Sequence, residues 1–126
     1  MGELRTKAVH LASGNTLITD APVDNQGKGE AFSPTDLLAA SLGSCMLTIM
    51  GIAARTHGVQ LEGLKVEITK IMRSDPRRIG EIQVVFHMNG KDVDEHKRMI
   101  LERAARTCPV SLSLHPDLIQ SIEFNW

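Results

Sequence analysis

Cys45 lies within an apolar run of small residues, Leu37-Leu-Ala-Ala-Ser-Leu-Gly-Ser-Cys45-Met-Leu-Thr-Ile-Met50. The only other cysteine, Cys108, follows 63 residues later in Thr107-Cys108-Pro109-Val110. Two thiols from remote segments that met in the fold could cycle between dithiol and disulfide, which is redox chemistry. Each also has a plainer explanation: free cysteine is among the most buried residue types, and Cys108 could be a small plug at a helix junction. A cysteine directly before proline can take an N-cap-like position, where unpaired backbone N–H groups stabilise a thiolate. There is no Cys-x-x-Cys spacing, so the sequence alone leaves open whether the sulfurs meet.

Other chemistries find little support. His10, His57, His87, His96 and His115 occur singly, without zinc-ligand spacing, so no metal is expected. Gly27-Lys28-Gly29 lacks the context of a phosphate loop, and there is no Gly-x-Ser-x-Gly elbow, so no cofactor is expected either. Cys45 as an acyl acceptor would need a histidine base, and no local motif supplies one. The net charge of −1 gives no basic field for nucleic acid or anionic lipid. Residues 1–7 lack the apolar run of a signal peptide, and the apolar stretch 37–54 is broken by Ser41, Gly43, Ser44 and Thr48, which reads as a soluble cytoplasmic protein without a membrane span. In that reducing compartment a lone cysteine pair points to inert burial or reversible thiol chemistry rather than a structural staple.

The elements that must position the thiols follow from patterning. At 126 residues the chain fits one domain, 1–126, and with 3% aromatic content and six methionines its core should be aliphatic. Residues 4–11 and 15–19 read as a hairpin turned by Ser13-Gly14-Asn15, and 20–32 as a long loop. Ser33-Pro34-Thr35-Asp36 announces a helix: Ser33 caps, Pro34 suits the first position and Asp36 completes a capping box. From Leu37 to Ala54 apolar residues cover nearly the whole circumference, so this helix should be buried on most sides, with Gly58 as its stop. Its run of small residues would let another helix, even a symmetry mate's, approach closely. Leu64, Val66, Ile68 and then Ile82, Val84, Phe86, Met88 alternate with polar residues, giving two half-buried strands around the turn 74–78. Asp92 should cap a second helix whose inward face carries Val93, Ile100, Ala104 and Thr107, and Ile122, Phe124 and Trp126 form a last strand. The order β-β-α-β-β-α-β implies an α+β sandwich with a mainly antiparallel sheet packed on a long central helix.

The pattern Ser33-Pro34-x-Asp36-Leu37-Leu38-Ala39-Ala40-Ser41-Leu42-Gly43-Ser44-Cys45, followed by Cys108-Pro109-Val110-Ser111, resembles the OsmC/Ohr family, in its branch of predicted redox proteins. The resemblance covers most of the chain. It implies an intertwined homodimer with two long central helices between sheets, and thiol-dependent reduction of organic hydroperoxides at sites built from both subunits. Cys45 would be the peroxidatic thiol and Cys108 the resolving one, with an external dithiol as reductant and no metal or haem. Members that match the family pattern well use an arginine to polarise the thiolate and a glutamate to orient it. Here Thr35 stands at the glutamate position with Asp36 beside it, and no arginine occurs between Arg5 and Arg55. Lys28, Arg5 or Arg55 would have to supply the cation, and Glu30 is a further candidate orienting group. Asp36 lies about 13 Å along the helix axis from Cys45, too far to touch it within that helix. A second reading keeps the fold without catalysis, the cleft around Cys45, Met46, Met50 and Phe32 holding a small hydrophobic ligand.

Overall fold

In the computed structural model, which describes residues 2–126, two compact units succeed one another, the first ending at Leu38 and the second spanning residues 39–126. In the first, β1 (Arg5–Val9) and β2 (Thr16–Asp20) form an antiparallel hairpin with Arg5 opposite Asp20 and Val9 opposite Thr16. Gly14 takes the left-handed conformation the turn requires. Both strands are exposed along most of their length, but Thr19 and Asp20 at the end of β2 are buried, Asp20 at 1% exposure. Its carboxylate receives the Arg5 guanidinium through Nε at 2.7 Å and Nη2 at 2.9 Å, and the Glu30 backbone N–H at 3.0 Å. The loop after β2 holds one 3-10 turn, Val23–Asn25, and is tied back where the Asp20 N–H donates to the Phe32 carbonyl.

The Arg5 hydrogen bonds are the main cause holding the Asp20 carboxyl below its ordinary range, against the opposing effect of burial. A carboxyl depressed in the folded state stabilises it fully above the unfolded value of about 4, and that contribution disappears as pH falls through the lower folded value. Amide exchange in β1 and β2 should therefore accelerate below about pH 4. Asp20→Asn should show fast exchange already at neutral pH with a flatter acid profile, and an unchanged exchange pattern in that variant would contradict the role given to this ion pair.

Helix α1 (Pro34–Thr56) starts as the sequence predicts. The Asp36 N–H donates to Ser33 Oγ and the Ser33 N–H to Asp36 Oδ2, both at 3.0 Å, a reciprocal capping box. The helix ends before Gly58, whose φ of +66° suits the left-handed stop. One expectation is corrected. Ala39, Leu42, Gly43, Met46, Met50 and Ala54 are buried, but Ser41, Ser44, Thr48, Gly51, Ile52 and Arg55 form an exposed stripe on the opposite side. The small and weakly polar residues of this stripe looked apolar in composition, yet nothing in the single chain covers them. By length and a mean hydropathy of 1.9 the helix could cross a membrane, but Leu42, Met46 and Met50 are fully buried in the core.

In the second unit, β3 (Lys65–Arg73), β4 (Arg78–His87) and β5 (Ile119–Asn125) form one sheet in the order β3-β4-β5. The β3–β4 pair is antiparallel, while β4–β5 is parallel because the connection between them carries helices. Ile82, Val84 and Phe86 turn inward and are fully buried, and Phe86 stacks on Phe124 with centroids 4.8 Å apart. Helix α2 (Glu95–Arg106) is capped by Asp94, whose side chain accepts the Lys97 N–H at 2.8 Å, rather than by Asp92. The buried face is Leu101 and Ala105, one residue on from the expected Ile100 and Ala104, which flank it; Thr107 is exposed, and Val93 ahead of the helix is buried as expected. A short helix, α3 (Pro109–Ser113), follows directly.

Candidate dithiol site

Cys45 lies mid-helix in α1, half-buried, on the flank of the core face. Cys108 joins α2 to α3 and is completely buried. As the sequence suggested, it is the N-cap of α3: its backbone is extended, Pro109 occupies the first helical position, and its Sγ accepts the Ser111 N–H at 3.4 Å. The chain reaches Cys108 from the end of α2, where the Cys108 N–H donates to the Ala105 carbonyl. Leu101 and Ala105 fix that end of α2 in the core, and so they fix Cys108.

The fold brings the two thiols together. Both are free, and Cys45 lies near enough to the Cys108 thiol to disfavour its ionisation. Burial pushes the Cys108 thiol above its ordinary range and the adjacent Cys45 adds to the rise, while the Ser111 and Val110 N–H groups oppose it. Cys108 therefore stays protonated at neutral pH, shielded from solvent. Cys45 is the sulfur of the pair that keeps exposed surface.

The other residues singled out in the sequence are engaged elsewhere. Lys28 pairs with Glu3, and Glu30 accepts Arg5 Nη2 at 3.1 Å. Arg5 is held mainly by Asp20, which raises its already high pKa further. Thr35 Oγ1 lies 3.2 Å from Ser33 Oγ, and Asp36 serves the capping box. Arg55 stands exposed in the last turn of α1. Met46 and Met50 have no exposed surface and form the core itself, so they do not line an open cleft. Two adjoining cavities of about 360 and 430 Å³ surround Gly58, Val59 and Gln60, and neither is lined by a cysteine. Among the described residues no cluster of histidine, cysteine or acidic side chains could hold a metal. Sequence reasoning missed Ser111 and Gln120, although both are polar residues beside apolar positions of the core, Ser111 in the Cys108 motif and Gln120 in the last strand.

The α+β architecture thus places a half-buried cysteine on a long helix and a fully buried one at a helix junction. The chain belongs to the OsmC-like protein family, whose profile matches residues 27–121. It is 53% identical to a Psychrobacter arcticus protein named for an osmotic stress induced and detoxification response, over 98% of this chain and 90% of that one, with a TM-score of 0.93. More distant structures share the fold. An organic hydroperoxide resistance protein OsmC from Legionella pneumophila is 16% identical over 97% of this chain and 96% of that one, with a TM-score of 0.67. An organic hydroperoxide resistance protein from Vibrio cholerae, with captopril bound in one of its active sites, is 19% identical over 99% of this chain and 87% of that one, with a TM-score of 0.77. Among curated proteins none matches.

Proposed function

We propose that the protein is a cytoplasmic, homodimeric thiol peroxidase that reduces organic hydroperoxides through Cys45 and Cys108. The observation that carries this reading is the juxtaposition of two free thiols of unequal exposure, Cys45 within reach of a solute and Cys108 behind it. The Cys45 thiolate attacks the peroxide O–O bond; an S–O bond forms, the O–O bond breaks, and the alkoxide leaves to be protonated to the alcohol. Cys108 sulfur then attacks the Cys45 sulfenic acid; the S–S bond forms, the S–O bond breaks, and hydroxide takes the Cys108 proton as water. An external dithiol returns both sulfurs to thiols. The names of the distant Legionella and Vibrio relatives favour an organic hydroperoxide as substrate.

A second copy of the chain has surfaces to cover. The stripe on α1 and a two-stranded hairpin exposed on both faces are features that an isolated chain leaves without the burial they need. A thiolate against an apolar core also requires a nearby cation. Arg55, exposed in the last turn of α1, is a cation that such a partner could bring.

Reduced protein exposed to one equivalent of an organic hydroperoxide should lose two hydrogens in mass and give a Cys45–Cys108 linked peptide, reversed by a dithiol with steady turnover. Protein that stays fully reduced and yet retains an apolar small molecule through purification would replace this reading with that of a binding protein.

A further inference from the structure

The inward face of β5 carries Gln120, Ile122 and Phe124 in alternation, and Gln120 stands opposite the fully buried Ile82 of β4. A glutamine at a core-facing register position needs partners, since its amide offers two donors and an acceptor that burial would otherwise leave unsatisfied. Ser111 supplies them. Its Oγ donates to Gln120 Oε1 at 2.6 Å, and Gln120 Nε2 donates to the Ser111 carbonyl at 3.1 Å. The same serine donates its backbone N–H to the Cys108 sulfur at 3.4 Å, and its Oγ also reaches the Arg106 carbonyl at 3.4 Å. Gln120 thus grips, through side chain and main chain, the residue whose N–H is hydrogen-bonded to the inner thiol.

A helix of five residues has little stability of its own. Its place over the core, and with it the direction of the Cys108 sulfur, depends on what holds Ser111.

We propose that Gln120 and Ser111 are positioning residues for the thiol pair: by clamping the first turn of α3 to β5 they hold Cys108 Sγ against Cys45 and keep the Ser111 N–H on that sulfur as it becomes the attacking nucleophile. This deepens the dithiol reading above and rests on it. The clamp acts on disulfide closure, the step in which Cys108 takes part, and leaves the first attack by Cys45 alone. Burial already disfavours the charged form of Cys108, and the Ser111 N–H is one of two backbone donors opposing that effect.

The test uses diamide, which oxidises a dithiol without any peroxide. Cys45 sulfur adds to the N=N bond; Cys108 sulfur then attacks Cys45, the S–N bond breaks, and the hydrazine departs with the Cys108 proton. Closure in the purified full chain would be followed by mass, with the first step timed separately in a Cys108→Ser background. Gln120→Leu keeps volume and removes both hydrogen bonds, and it should slow closure about tenfold, the factor one to two lost hydrogen bonds correspond to, with the Cys45 step unchanged. Ser111→Ala removes only the Oγ bonds; should Gln120→Leu fail to fold, this variant must still slow closure, by about threefold. Asp94→Ala, which removes the cap at the other end of α2, should lower stability by a similar amount and leave closure at the wild-type rate. Wild-type closure rates in both clamp variants, or an equal slowing in Asp94→Ala, would overturn the proposal, as would a wild-type protein that diamide cannot close. Closure by diamide without hydroperoxide turnover sinks the peroxidase reading alone and leaves the clamp standing.

Discussion

Cys108→Ser is expected to accumulate sulfenic acid on Cys45 when challenged with an organic hydroperoxide, whereas Cys45→Ser forms none on the remaining Cys108. The asymmetry comes from burial. Cys108 has no exposed surface and its thiol is pushed toward the protonated form, so a peroxide meets neither an accessible sulfur nor a thiolate there. Cys45 sits one layer further out on α1 and retains exposed surface. Turnover supported by a dithiol should therefore fall by on the order of a hundredfold or more in Cys45→Ser, the size of effect expected when a nucleophile is removed. In Cys108→Ser the first oxidation proceeds at an unchanged rate but stalls, and a 1,3-diketone trap labels Cys45 stoichiometrically. Labelling at Cys108 in the Cys45→Ser protein, or turnover equal to wild type in that variant, would reverse the assigned order of the two sulfurs. Cys108 is the more buried position, so destabilisation alone would impair Cys108→Ser more than Cys45→Ser and cannot mimic the split.

Local rules made parts of this site legible in the sequence and missed others. Ser33-Pro34-Thr35-Asp36 announced the start of α1 because a capping box is a contact between residues three apart. Cys108 before Pro109 announced an N-cap for the same reason. The meeting of Cys45 and Cys108 is different in kind: it depends on α2 packing through Leu101 and Ala105, and no local pattern encodes a contact across 63 residues. In the second helix the cap fell on Asp94 rather than Asp92, and the inward face on Leu101 and Ala105 rather than Ile100, Ala104 and Thr107, although Val93 is buried as expected. The parallel β4–β5 pairing could not be read because its determinant is tertiary, the return path of the chain. In α1, apolar composition suggested burial on most sides, yet Ser41, Ser44, Thr48 and Gly51 are small enough to look core-like while facing outward. The fold was thus legible wherever a signal lay within a turn or a strand, and the reactive geometry was supplied by packing.

The close approach of α1 to β3 makes Gly43 the most sensitive packing position of the helix. A Cβ built there lies 2.2 Å from Ile68 Cδ1 and 3.0 Å from Ile68 Cγ1, with Val66 Cγ1 at 4.0 Å. Glycine inside a helix costs about 1 kcal/mol relative to alanine, so its presence one turn before Met46 and two residues before Cys45 needs a compensating reason, and the distance to Ile68 provides it. Gly43→Ala should come out within about 1 kcal/mol of wild type, because the helix-propensity gain offsets a shift of the flexible Ile68 tip. Gly43→Val adds two further methyls that meet Cγ1 and the strand, together with a branched side chain in a helix, and should cost about 3 kcal/mol, or roughly a 10 °C fall in Tm. Ile68→Val removes Cδ1, the atom nearest the new Cβ, and costs about 1 kcal/mol alone. In the Gly43→Val background it should instead restore at least about 1 kcal/mol, a coupling that only residues in direct contact display. Thermal or denaturant unfolding of the four proteins measures it. Additive losses in the double variant would mean that helix and strand stand further apart than the packing at Gly43 requires. Since Cys45 is carried on the same turn of α1, a real displacement there should also slow disulfide closure in Gly43→Val and recover in part with Ile68→Val.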